Sequence, residues 1–183
     1  MKRRTFLQTS LGAAVIATQL SQAQAKEENT MNIVIAADPF AVELKDAVKE
    51  HLEKKGYTVQ DVGAMKDKEM PYYDAAPAAA ALLQSGKVER GILFCGTGAG
   101  MSIVANKIKG VQAVCVESVF SAKMARAIND ANVITMGAMI VAPWMANAMV
   151  DAWLDTRHTE GFDGIADFLN DARGKVDALD AGR

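Results

Sequence analysis

Short apolar runs and amphipathic stretches alternate along most of this chain. Residues 32–37 (NIVIAA) form a continuous apolar run ending at Asp38, the pattern of a strand buried on both faces. Leu44, Ala47, Val48, His51 and Leu52 then recur at helical spacing, and Gly56 is placed to stop that helix. A second strand is predicted over 58–62, an alanine-rich helix over 75–83 closed by Ser85 and Gly86, and a third strand over 91–95. After Gly96-Thr97-Gly98-Ala99-Gly100 the pattern predicts a helix over about 101–107, then a fourth strand over 111–116. Ser118 is suited to cap a helix running through Asn129, and 133–136 reads as a fifth strand. Pro143 fits the first turn of a helix carrying Met145, Ala148, Met149, Ala152 and Trp153.

Five strands, each followed by a helix, predict an α/β fold: a Rossmann-like three-layer αβα sandwich with a five-stranded parallel sheet. Ile165, Phe168, Leu169, Ala172, Val176 and Leu179 add a C-terminal helix over about 164–179. Its continuous apolar stripe must cover something, and a dimer or interdomain clamp is the expectation. With no internal repeat and no long linker, residues 26–183 read as a single domain.

Composition narrows the function classes. The 183 residues are 50% hydrophobic and 23% charged, which suits a packed core and excludes intrinsic disorder. Two cysteines are too few for a disulfide scaffold or a Cys-rich zinc module, and two histidines leave little for a histidine metal site. A net charge of −2 argues against a nucleic-acid partner.

The start of the chain reads as an address. Lys2, Arg3 and Arg4 are followed by Phe6 and Leu7, an apolar stretch over 11–20, and Ala23-Gln24-Ala25 as a small-residue cleavage site. The paired arginines resemble the twin-arginine class, so residues 1–25 are expected to engage the twin-arginine translocase and be removed after Ala25. The apolar stretch is about half of the ~20 residues that a spanning helix needs, so no stable membrane association is expected. Cleavage removes three cations and no acid, taking the net charge from −2 to −5. The mature protein is then expected in the periplasm, an oxidising compartment.

In doubly wound sheets, ligands bind beyond the carboxyl ends of the strands. Asp38, Cys95 to Gly100, and Val116 to Ser118 stand at those ends. Gly96, Gly98 and Gly100 let the backbone approach a ligand closely, and the start of the following helix would favour an anion, whether a phosphate or an enediolate oxygen. The run lacks both the GxGxxG spacing and the Walker lysine–hydroxyl pair, and reads equally as a tight turn with close strand–helix packing. Cys95, beside that loop, reads as a base or nucleophile, or as a small buried hydrophobe. Cys115 reads as a buried strand residue, and a bond between the two thiols is left open.

The segment Gly91-Ile92-Leu93-Phe94-Cys95-Gly96-Thr97-Gly98-Ala99-Gly100-Met101-Ser102-Ile103, with Ala105-Asn106-Lys107, resembles the signature of the ribose-5-phosphate isomerase B and galactose-6-phosphate isomerase family. The likeness extends to Asp38, Glu43-Leu44-Lys45, Asp74, Met124-Ala125-Arg126, Asn129 to Val133 and Val150 to Leu154, covering about residues 31–154. It implies a homodimer with a small-molecule sugar substrate, interconverting an aldose and a ketose phosphate through a cis-enediolate, with no metal or cofactor. Carried over by position, Cys95 resembles the base that moves the proton between C1 and C2, and Thr97 the hydroxyl assisting at the sugar oxygens. Gly96, Gly98, Ala99 and Gly100 resemble the backbone that stabilises the enediolate, and Asp38 and Asn129 match substrate-contacting positions.

Departures from the family are equally informative. Pro39 and Ile128 stand where the family has histidines, the second of which helps to open the sugar ring. Met139 replaces a common arginine, and Asp163 and Asp167 occur where phosphate-holding arginines are expected. Each lost charge-assisted hydrogen bond is worth about 1.5–3 kcal/mol, and carboxylates repel a dianion. The expectation is an aldose–ketose isomerase for a non-phosphorylated or unusual sugar, with Glu117 or Tyr73 as candidates for ring opening. Competing expectations are a conventional ribose 5-phosphate isomerase using a cation such as Arg126, and a non-catalytic sugar-binding homologue. A thiol-redox role ranks last because no C-x-x-C pair is present.

Overall fold

The computed structural model describes residues 31–180; the expected export signal lies outside them. The elements run β1 (Asn32–Ala37), α1 (Val42–Lys54), β2 (Thr58–Asp61), α2 (Tyr72–Gln84), β3 (Arg90–Cys95) and α3 (Ala99–Ala105). They continue with β4 (Ala113–Cys115), α4 (Val119–Ala127), β5 (Val133–Gly137), α5 (Pro143–Leu154) and α6 (Ala166–Leu179). All strand pairs are parallel, in the order β2-β1-β3-β5-β4. The three-layer αβα sandwich read from the strand–helix alternation is the fold.

Alternation along the strands divides the core in two. Ile33, Ile35, Ile92, Phe94, Ile134 and Met136 point to one face and pack under α1, α4 and α5. Val34, Ala36, Leu93, Cys95 and Val133 point to the other, beneath α2 and α3. Four of the six alanines of α2 (Ala75, Ala76, Ala79 and Ala80) are buried, and their small size brings the helix close to the sheet. Both sheet edges are short, β2 with four residues and β4 with three, which limits the unpaired backbone they expose.

One charge is buried with its partner. Lys45 on α1 is 1% exposed, and its Nζ donates to Asp61 Oδ2 at 2.5 Å and to the Ala64 carbonyl at 3.0 Å. This pair ties α1 to the end of β2 and to the turn that follows.

Several boundaries differ from the sequence pattern. Helix α2 begins at Tyr72, directly after Pro71, and not at Ala75. Helix α3 begins at Ala99, two residues before Met101, because Gly98 takes a left-handed conformation (φ +80°) and caps it. Strand β4 is confined to 113–115, and α4 stops at Ala127 before the positive φ of Asp130. A 3-10 turn, Asp163–Ile165, precedes α6.

Helix α6 is held differently from the rest. Leu169 is its buried residue, whereas Phe168, Val176 and Leu179 stay exposed. Polar bonds fix it at the β4 edge: Arg173 pairs with Asp130, and the Gln112 amide donates to Asp177 at 2.6 Å. Among the described residues no helix is long and apolar enough to cross a membrane.

Candidate active site

The strand order reverses between β1 and β3, and the loops leaving those two strands carry Asp38 and the glycine segment. This is the crevice in which doubly wound sheets place ligands. The two loops are joined, since the Asp38 N–H donates to the Phe94 carbonyl at 3.0 Å. The Asp38 carboxylate is buried and accepts the Phe40 N–H at 3.0 Å, capping a 3-10 turn. Burial pushes this carboxyl above its ordinary range, opposed by the N–H groups of Phe40 and Ala41.

Cys95 ends β3 on the α2/α3 side of the sheet and is 4% exposed. The Gly98 N–H points at its sulfur from 3.1 Å. Thr97 and Ala99 are exposed on either side of buried Gly98. The first-turn amides of α3, Ala99 to Met101, have no carbonyl one turn earlier to bond, and no side chain caps them. Cys95, Thr97 and the first amides of α3 thus belong to one loop, with the sulfur at its buried side, packed in the apolar cluster beneath α2 and α3, and Thr97 at its exposed side.

That loop lies directly on β5. A Cβ on Gly98 would stand 2.8 Å from Cys115 Sγ and 2.9 Å from the Met136 carbonyl carbon. A Cβ on Gly137 would stand 2.5 Å from the Thr97 backbone. The tight-turn reading of the glycines is therefore realised: the loop packs closely on β5, which sets the direction of its amides. Gly137→Ala is expected to lower stability by about 1–3 kcal/mol through overpacking. It should lower kcat further than the shift in Tm accounts for, because the methyl displaces Thr97. A folded variant with unaltered turnover would show that the loop tolerates the displacement.

Two side chains wall the loop. A Cβ on Gly96 would meet the Met139 methyl at 3.3 Å, and one on Gly100 would meet the Tyr72 ring at 3.2 Å. The aromatic beside the loop is thus Tyr72. Tyr73 is exposed behind it in an edge-to-face pair, and Glu117 is exposed beyond β4.

Asn129 does not join this cluster within one chain. It follows α4 and precedes β5, at the amino end of the sheet, roughly 17 Å of strand away from Cys95. There it lines a groove of about 370 Å³ with Asn106, Gln112, Val114, Arg173 and Val176. Arg126 lies at the same end, paired with Asp130 at 2.5 Å and donating to the Ala131 carbonyl, so it cannot serve the glycine loop of its own chain.

The bond between thiols left open by the sequence is excluded. Strand β5 separates β3 from β4, with Cys95 beside Gly137 and Cys115 beside Thr135. Two strand spacings put the α-carbons at least about 10 Å apart, beyond the ~7 Å reach of a disulfide. Both cysteines are free, and burial pushes the Cys115 thiol up, which suits a packing role.

Residues 33–164 match the family described as ribose/galactose isomerase. A 4-deoxy-4-sulfo-D-erythrose isomerase from a Clostridium species is 44% identical over 152 residues, spanning 82% of this chain and 96% of that protein. A D-erythrulose-4-phosphate isomerase of Pectobacterium atrosepticum is 42% identical over 132 residues, spanning 72% and 87%. The structure of Clostridium thermocellum ribose-5-phosphate isomerase B superposes with a TM-score of 0.76 at 33% identity, covering 83% of this chain and 99% of that one.

Proposed function

This chain belongs to the ribose/galactose isomerase family of aldose–ketose isomerases, and we propose that it acts on an unusual, open-chain sugar with Cys95 as the base. One observation carries the mechanism: the Gly98 N–H is donated to a sulfur lying beneath a loop of amides at the switch point. The Cys95 thiolate takes the proton from C2 of the aldose, and the C–H electrons form an enediolate whose charge rests on O1. Amides at the start of α3 stabilise that oxygen, and the Thr97 hydroxyl relays the proton from O2 to O1. Cys95 then returns its proton to C1, giving the ketose with no net change in the protein.

The substrate class follows from what the site lacks. Ile128 stands at the position of the family's ring-opening histidine. A tetrose substituted at C4 has no hydroxyl there with which to close a five-membered ring, so it needs no ring opening. The relatives at 44% and 42% identity are named for sugars of that kind, a C4 sulfonate and a C4 phosphate. Exposed Asp163 and Asp167 stand where arginines would hold a phosphate, which favours a neutral or singly charged terminus over a dianion.

The active unit in this proposal is a homodimer in the periplasm, reached through the export signal at residues 1–25. Phe40, Phe120, Met139 and Trp144 are all at least 70% exposed on segments leaving the carboxyl ends of the strands, an apolar rim suited to a second copy. Asn129, at the far end of its own sheet, reaches a glycine loop only on a partner.

NMR of deuterium incorporation from D2O tests the proposal on C4-substituted tetroses, free sugars and ribose 5-phosphate. The expected result is a kcat/KM at least about 100-fold higher on a C4-substituted tetrose than on ribose 5-phosphate, the low end of what a missing acid–base group costs. Ribose 5-phosphate as the best substrate would overturn the substrate assignment.

A further inference from the structure

We propose that Thr135 is a positioning residue for Cys95, holding Gly98 so that its N–H stays aimed at the sulfur. Strand β5 is apolar apart from Thr135, whose side chain is 0% exposed. A buried hydroxyl without a partner is costly, so its partners indicate what it does. Thr135 Oγ1 donates to the Gly98 carbonyl at 2.9 Å, and the hydroxyl is also in hydrogen-bond contact with the Cys115 thiol, which itself lies against Gly98.

That carbonyl is already satisfied, since it accepts the Ser102 N–H at 3.1 Å in the first helical bond of α3. The hydroxyl is therefore not needed to satisfy the backbone, and valine would fill nearly the same volume. What it adds is direction. Gly98 has no side chain to hold it, and at φ +80° it occupies a region with wide torsional freedom. Ser102 and Thr135 grip its carbonyl from two sides, Cys115 Sγ lies against its α-carbon, and its amide is left facing Cys95. Register supports the placement: Thr135 pairs with Leu93 on one side and Cys115 on the other, two residue pairs below Cys95 and so on the same face of the sheet. Thr135 touches no reacting atom and acts through Gly98.

This inference rests on Cys95 as the base, and the test separates the two. In Thr135→Val, alkylation of Cys95 by iodoacetamide at fixed pH, followed on its peptide by mass spectrometry, is expected to slow about tenfold, the effect of one lost hydrogen bond. On the best substrate from the deuterium screen, kcat should fall by a similar factor while KM stays within about twofold. Thr135→Ser should restore both rates to within about threefold, which a packing role would not do because serine lacks the methyl group. If the valine variant fails to fold, Thr135→Ala against Thr135→Ser makes the same comparison, with the methyl absent from both. Unaltered alkylation in the variant lacking the hydroxyl, or serine that restores neither rate, overturns the proposal. Slowed alkylation together with full turnover by Cys95→Ala would uphold the positioning role and discard Cys95 as the base.

Discussion

Cys95→Ala is expected to lower kcat by about 10²–10⁴-fold, the usual contribution of a positioned acid–base group, with little change in KM. The sulfur meets the substrate only through the proton it moves, so its loss should raise the barrier without weakening the ground-state complex. The fold should survive, because the side chain ends a strand and alanine occupies the same position with a smaller volume. Deuterium exchange at C2 is the sharper measurement, since it reports enediolate formation whether or not product is released. Exchange persisting near the parent rate in the alanine variant would falsify the assignment of Cys95 as base. Cys95→Ser should lie close to alanine, because a hydroxyl is a far weaker acid than a thiol and is not ionised by a single N–H.

The largest effect on stability is expected at the opposite flank of the sheet. Lys45→Met removes the cation that neutralises Asp61, whose side chain is 7% exposed, and leaves Lys49 Nζ at 3.9 Å as the next positive charge. Breaking one side of a buried pair costs about 3–5 kcal/mol, because the remaining charge has lost both water and partner. Urea unfolding should show this as a lower midpoint with an unchanged slope. Adding Asp61→Asn to Lys45→Met should recover part of the loss, since an amide needs no counter-ion and can still accept the Gly63 N–H that Asp61 Oδ1 takes at 3.3 Å. A double variant no more stable than Lys45→Met would mean that lost packing of the lysine stem, and not the stranded charge, is responsible.

The architecture was legible because a parallel sheet buried on both faces leaves continuous apolar runs, and those of β1 and β3 are unbroken. Boundaries failed where glycine or proline acts in a way that composition does not disclose. Gly98 reads as loop, yet as a left-handed cap it starts α3 two residues early. The separation of Asn129 from Cys95 was hidden for another reason: it depends on which end of the sheet each loop leaves. Gly137 and Thr135 were missed as parts of the site because neither belongs to a local motif. A signal for Thr135 was present, a lone hydroxyl in the apolar run Val133–Gly137, but its partner is 37 residues away and reachable only once β5 lies beside β3.

The interleaved strand order has a kinetic consequence. The fifth strand occupies the slot between the third and fourth, so a growing chain cannot complete the middle of its sheet in the order of synthesis. Long-range closures of this kind are slow, since chain entropy is lost before the pairing is gained. Until residues 133–137 insert, the carbonyl of Gly98 has only the Ser102 N–H to hold it and lacks the second grip from Thr135. On the proposed mechanism, the positioning of the sulfur is thus completed only at the close of folding, and a nascent or stalled polypeptide lacks the finished site.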